Sequence, residues 1–114
     1  MDKVFASPAA AIADIPEGAT VGLGGFGQQH CFATSLLLAL RDKGTKNLCV
    51  VCNSLGGNGE LRGQILAESG QVSRLMASFT ARPGTPTAAE DQIVAGSLKA
   101  ELVPQGILVE RCRA

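Results

Sequence analysis

Short, strongly apolar runs alternate along this chain with longer stretches of helical spacing. Residues 20–23 (Thr-Val-Gly-Leu) and 48–52 (Leu-Cys-Val-Val-Cys) read as strands. The unbroken apolarity of the first predicts burial on both of its faces. Residues 72–79, which include Leu75, Met76 and Phe79, predict a third strand, and 99–103 alternate in the manner of a half-buried fourth. Between them, Ser7-Pro8 signals an N-cap with proline in the first turn of a helix over 7–14. A second helix is expected over 34–43, where Leu36, Leu37, Leu38 and Leu40 make it apolar nearly all round and Gly44 supplies a left-handed end. Residues 60–68 predict a third helix stopped by Gly70. Thr87-x-x-Glu90 spells a capping box that opens a fourth, running to Ala95 before Gly96. A last helical segment is expected over 107–113.

Strand and helix alternate throughout, which implies parallel strands joined by right-handed crossovers and hence an α/β fold with a mainly parallel open sheet and flanking helices. At 114 residues the chain is one domain or a piece of one. In such sheets ligands bind beyond the carboxyl ends of the strands. Three irregular loops are expected there, at 24–29, 53–59 and 104–106, and their convergence would make one site. Ordinary turns are the alternative reading of the same glycines.

Composition narrows the function. Ten basic residues balance ten acidic ones, with no basic cluster, so neither nucleic acid nor an anionic membrane is expected as a partner. No run approaches the roughly 20 apolar residues of a membrane span, and the N-terminus lacks the pattern of a secretion signal. A cytoplasmic protein is therefore expected. Cys49 and Cys52 form a C-x-x-C, but on a strand residues three apart point to opposite faces. A second ligand pair for zinc is also missing from the sequence. Buried structural thiols are expected, and no metal.

Gly22, Gly24 and Gly27 spell G-x-G-x-x-G, the dinucleotide fingerprint. That fingerprint requires an acidic residue at the end of the following strand, which here ends in Cys52-Asn53, and Gly22 falls inside the strand pattern. A small nucleotide-binding module is thus a weak alternative. The stretch from Glu17 to Gly27 instead resembles the start of the α subunit of family I coenzyme A transferases, the 3-oxoacid and succinyl-CoA:3-ketoacid transferases of ketone-body metabolism. The likeness continues through Leu48-Cys49-Val50-Val51-Cys52-Asn53, similar to a family strand that ends in an Asn pair. It extends to the run from Glu101 to Ala114 with its Pro104-Gln105-Gly106. Departures are His30-Cys31-Phe32 where the family shows Gly-x-Pro, Ser54 for the second Asn, and Phe79 for a Tyr.

The resemblance implies an N-terminal part, 1–114, of a single α-subunit domain. The fold would then be CoA-transferase-like and incomplete, since family α subunits run to about twice this length. It implies transfer of CoA between a CoA thioester and a 3-oxo acid or another carboxylic acid through a glutamyl intermediate. The nucleophilic Glu belongs to the β subunit, so no catalytic residue is expected here and the isolated chain should be inactive. Gly24, Gly25, Phe26 and Gly27 would line the substrate and CoA site, with Asn53 and Gln105 beside them. Partners would be a β subunit in a hetero-oligomer, with acyl-CoA and carboxylic acid as substrates. No permanently bound cofactor is expected. A non-catalytic remnant that only binds a partner is the other reading left open.

Overall fold

The computed structural model describes residues 3–26, 31–59, 62–80 and 84–114. Its centre is a four-stranded sheet of β1 (Thr20–Leu23), β2 (Leu48–Cys52), β3 (Val72–Ala77) and β4 (Lys99–Leu102). Neighbouring strands are all parallel and stand in sequence order, β1-β2-β3-β4. The order matters more than the strand count. Right-handed crossovers that always step in one direction deliver every intervening helix to the same face. Accordingly α1 (Pro8–Ala11) packs on α2 (Thr34–Lys43), α2 on α3 (Gln64–Glu68), and α3 on α4 (Ala88–Ala95) in a single layer.

The core fills the space between that layer and the sheet. Leu48, Val50 and Cys52 of β2 and Leu75 and Ala77 of β3 meet Leu37 and Leu40 of α2, Ile65, Leu66 and Ala67 of α3, and Leu98. The other face presents Thr20, Gly22, Cys49, Val51, Arg74 and Met76 by alternation. Among the described residues only α5 (Gln105–Arg113) lies against it, held by Arg111, whose guanidinium pairs with Glu101 at 2.7 Å and approaches the Met76 Sδ at 3.8 Å. Within α5 only Leu108 is buried.

One face, not two, is therefore covered at β1, where Thr20 and Gly22 are exposed, contrary to the burial expected from its apolar run. β4, expected to be half-buried, is an edge strand exposed at all four positions. β3 ends at Ala77, before Phe79. Helix ends differ too. α1 stops at Ala11, three residues short of expectation, and the Lys43 Nζ donates to the free carbonyls of Ile12, Ala13 and Ile15 beyond it. α3 begins at Gln64, with Gly63 before it, and residues 60 and 61 of the expected helix lie outside the described residues. α5 starts at Gln105, two residues early, with Pro104 as its N-cap.

The capping box of α4 forms by halves. Thr87 Oγ1 accepts from the Glu90 N–H at 3.4 Å, but the Glu90 carboxylate turns away to accept from the Thr80 hydroxyl at 2.8 Å. Gly44 and Gly96 close α2 and α4 in the left-handed conformation, as their spacing predicts.

A buried amide ties the α2 end to the sheet. Gln71, 1% exposed, donates from Nε2 to the carbonyls of Leu40 and Thr45, both at 2.9 Å, and its Oε1 accepts from the Ser69 hydroxyl. Gln71→Leu would leave the Leu40 and Thr45 carbonyls buried without those donors. It is expected to lower stability by about 2–3 kcal/mol, read as a lower urea midpoint with an unchanged m-value.

Candidate functional site

At the carboxyl ends of β1 and β2, on the sparsely covered face, a cleft of about 280 Å³ opens between the sheet and α5. Phe26 stands at its β1 side, Asn53 at the end of β2, and Gln105 in the first turn of α5. Val51 and Gly22 form its floor, and Leu108, Val109 and Cys112 of α5 its far wall. These three elements meet because parallel strands bring all their carboxyl ends to one edge, and α5 follows directly from the end of β4.

Three of the six residues expected at the site therefore converge on one cleft: Phe26, Asn53 and Gln105. Gly24 and Gly25 belong to the loop beside it and do not line it. Gly27 lies outside the described residues. Gly25 has a different task. Its φ is +133°, and a Cβ built on it would stand 2.6 Å from the Phe32 ring, so the loop closes flat on that ring. Gly22 lines the cleft from within β1 and puts no side chain into it.

Residues that the sequence alone did not single out are Val51, Leu108, Val109 and Cys112. Alternation along β2 puts Val51 on the same face as Asn53, a signal that was available. The α5 residues carry none, since only the packing of α5 across the open face brings them to the strand ends. Among the described residues that line this cleft none carries a charge; the wall is apolar, and the polar side chains are the amides of Asn53 and Gln105 and the thiol of Cys112.

The loop that follows Asn53 is held by side chains rather than by a backbone ladder. Ser54 Oγ accepts from the Gly56 N–H at 3.3 Å, and Gln64, wholly buried, donates to the Gly56 carbonyl at 3.2 Å while accepting from the Ala89 N–H at 3.2 Å. Asn58 Oδ1 accepts from the Ala88 N–H at 3.2 Å. Two of the first free amides of α4 are thus satisfied from α3 and the loop that precedes it. The Arg62 guanidinium donates to the Asn58 carbonyl at 2.9 Å and occupies the space a Cβ on Gly57 would need.

The C-x-x-C thiols diverge as the strand geometry requires. Cys52 is buried on the helix face and Cys49 is half-buried on the other. Burial pushes the Cys52 thiol from its ordinary 9.0 up to about 12.

Such a sheet, with helices layered on one face and a cleft at its carboxyl edge, defines a parallel α/β fold. The particular family follows from likeness along the whole chain. Residues 5–114 match the model of the coenzyme A transferase family, and the chain belongs to that family. It is 40% identical over 114 residues to the α chain of a probable succinyl-CoA:3-ketoacid coenzyme A transferase of Bacillus subtilis, all of this chain matching 46% of that protein. It is 41% identical over 112 residues to the mitochondrial succinyl-CoA:3-ketoacid coenzyme A transferase 2 of Homo sapiens, of which it spans 21%. Among solved structures, an acyl-CoA transferase of Escherichia coli O157:H7 in a thioester complex with CoA superposes with a TM-score of 0.75 at 26% identity, over 91% of this chain and 21% of that one. Glutaconate coenzyme A-transferase from Acidaminococcus fermentans shares the fold, with a TM-score of 0.70 at 22% identity over 94% of this chain and 33% of that one. The chain spans under half the length of these relatives. Among the described residues no helix is long and apolar enough to cross a membrane.

Two predictions come from this geometry. Gly25→Ala combines a positive φ with a clash on the Phe32 ring, and is expected to destabilise the chain by about 1–3 kcal/mol, whereas Gly24→Ala, which meets nothing within 4 Å, should not; paired thermal melts compare them. The raised Cys52 value also sets a pH dependence. Below about 9 the thiol is neutral both folded and unfolded, and its share of stability is fully present. As pH climbs from 9.0 towards 12 only the unfolded chain ionises there, so stability falls. Urea midpoints measured across that range should drop less in Cys52→Ala than in the parent chain.

Proposed function

We propose that this chain is the N-terminal part of the α subunit of a transferase that moves CoA between a CoA thioester and a 3-oxo acid or another carboxylic acid. The observation that carries the reading is the meeting of Phe26, Asn53 and Gln105 on one cleft, in a chain that matches the Bacillus subtilis relative at 40% identity from end to end.

Exchange of CoA between two acids without hydrolysis calls for a carboxylate nucleophile. It attacks the thioester carbonyl, expels CoA thiolate and leaves an acyl-glutamyl anhydride. The thiolate then attacks the glutamyl carbonyl, releasing the first acid and leaving a glutamyl-CoA thioester; the acceptor acid runs the steps backwards. Among the described residues that line the cleft none carries a carboxylate. Elsewhere, Glu68 accepts from the Gly59 N–H, Glu90 from Thr80, and Glu101 and Glu110 pair with Arg111 and Arg113. In keeping with the family resemblance, the glutamate is assigned to a partner, the β subunit of a hetero-oligomer; Glu60 lies outside the described residues.

In that division of labour this chain's own groups bind and orient. The amide N–H groups of Asn53 and Gln105 donate to oxygen that gains charge in the tetrahedral states, each such donor being worth about 3–4 kcal/mol in a dry site. The apolar wall of Val51, Leu108 and Val109 excludes water, which protects the anhydride from hydrolysis. Phe26, 63% exposed, and Val109, 53% exposed, leave apolar surface at the mouth of the cleft for the partner to cover. CoA enters as a substrate, with no permanently bound cofactor.

The test is formation of acetoacetyl-CoA from succinyl-CoA and acetoacetate. The purified chain alone is expected to give no turnover, and the protein assembled with its β subunit is expected to give it. Turnover by the chain alone would overturn the placing of the nucleophile in the partner. Absence of turnover in the assembled protein would overturn the transferase reading.

A further inference from the structure

β1 carries a glycine where the alternation of the strand calls for a side chain. Gly22 lies on the sheet face that α5 partly covers, two residues from Thr20 and beside Val51 of β2. No positive φ requires a glycine there. β1 and β2 pair in unbroken register through it, so it marks no bulge. A Cβ built on it meets no atom within 4 Å, so close packing does not require a glycine either. Glycine inside a strand costs stability relative to alanine. Where neither backbone nor packing explains it, the close approach of a ligand is the remaining reason.

The missing side chain lets two hollows meet. The cleft at the carboxyl edge has Gly22 in its floor. A second hollow, of about 480 Å³, runs from Gly22 along the sheet under α5, between Thr20, Met76 and Arg111. Gly22, Val51 and Cys112 line both. Thr20 pairs with Cys49, four residues before Asn53, so the path from Asn53 to Thr20 runs about 13 Å along the strands. Among the described residues of the second hollow only Arg111 is charged, and Glu101 pairs with it at 2.7 Å. With that charge already met, the hollow suits an uncharged aliphatic chain and not a second carboxylate.

We infer that Gly22 is a specificity-determining residue: it lets the aliphatic tail of the acyl group pass from the cleft into the second hollow, so the acids handled here carry a longer chain than acetoacetate. The inference rests on the transferase reading, which puts the carbonyl or carboxylate end of the substrate at Asn53 and Gln105. Each methylene that enters gains about fourfold in affinity, the worth of one buried CH2 group. A side chain at position 22 stands in the passage and removes that gain.

The full chain, together with any protein that co-purifies as its β subunit, is titrated calorimetrically with acetoacetyl-CoA and with 3-oxohexanoyl-CoA, which is longer by two methylenes. The parent is expected to bind the longer thioester about tenfold more tightly. In Gly22→Val that ratio is expected to fall to about one, with Gly22→Ala between. Both variants should melt at the parent's temperature or above it, since each replaces a strand glycine by a residue with less freedom to lose. A parent that binds the two thioesters equally overturns the inference and leaves the transferase reading standing. So does a ratio that Gly22→Val leaves unchanged, which puts the tail outside the second hollow. A parent that binds neither thioester overturns the transferase reading together with the inference.

Discussion

Four parallel strands in strict sequence order constrain everything else in this molecule. Because each crossover steps the same way with the same hand, α2 to α4 share one face, with α1 packed on α2, and the core made by Leu48, Val50, Leu75 and Ala77 is one-sided. The opposite face receives a single helix, α5, fixed by Leu108 and by Arg111 across Glu101 and Met76. Where α5 begins, at the carboxyl edge, sheet and helix diverge enough to leave the cleft. The site is thus a consequence of strand order, since a doubly wound order would place crossover helices over the floor that Gly22 and Val51 now form.

The loop after Asn53 is held for a reason separate from the core. The loop after Asn53 has almost no backbone ladder of its own, and its amides and carbonyls are taken up by Ser54, Gln64, Glu68 and Arg62. Gln64 and Asn58 reach the first amides of α4 in the same stroke. The end of β2 and the start of α4 are consequently one mechanical unit, and Asn53 sits at its root. A buried amide network of this kind is stabilising only while every member is satisfied.

The cleft and the rest of the described surface differ in chemistry. This chain supplies an apolar wall and neutral hydrogen-bonding side chains, while Glu68, Glu90, Glu101 and Glu110 are engaged elsewhere. Leu102, Ile107 and Val109 remain more than half exposed. β4 is an unpaired edge, and relatives such as the one from Bacillus subtilis carry more than twice the length that this chain spans.

The strands, the parallel alternation and the carboxyl-edge loops were legible in the sequence because they depend on local signals: branched apolar runs, the capping Thr87, and glycines at 44 and 96 that tolerate a left-handed backbone. Asn53 and Gln105 were legible through their place at strand ends and through a family resemblance. Local pattern misled where burial was at issue. An apolar run such as 20–23 specifies a strand but not how many of its faces are covered, and the alternation of 99–103 cannot report that β4 stands at an edge. Those are properties of strand order. Likewise, nothing local to α5 announces that Leu108, Val109 and Cys112 will wall a cleft. The sequence by itself determined the elements and the family, since both are written in spacing and residue type. Only the tertiary structure decided which face stays open and which side chains meet there, because that depends on contacts between segments far apart in the chain.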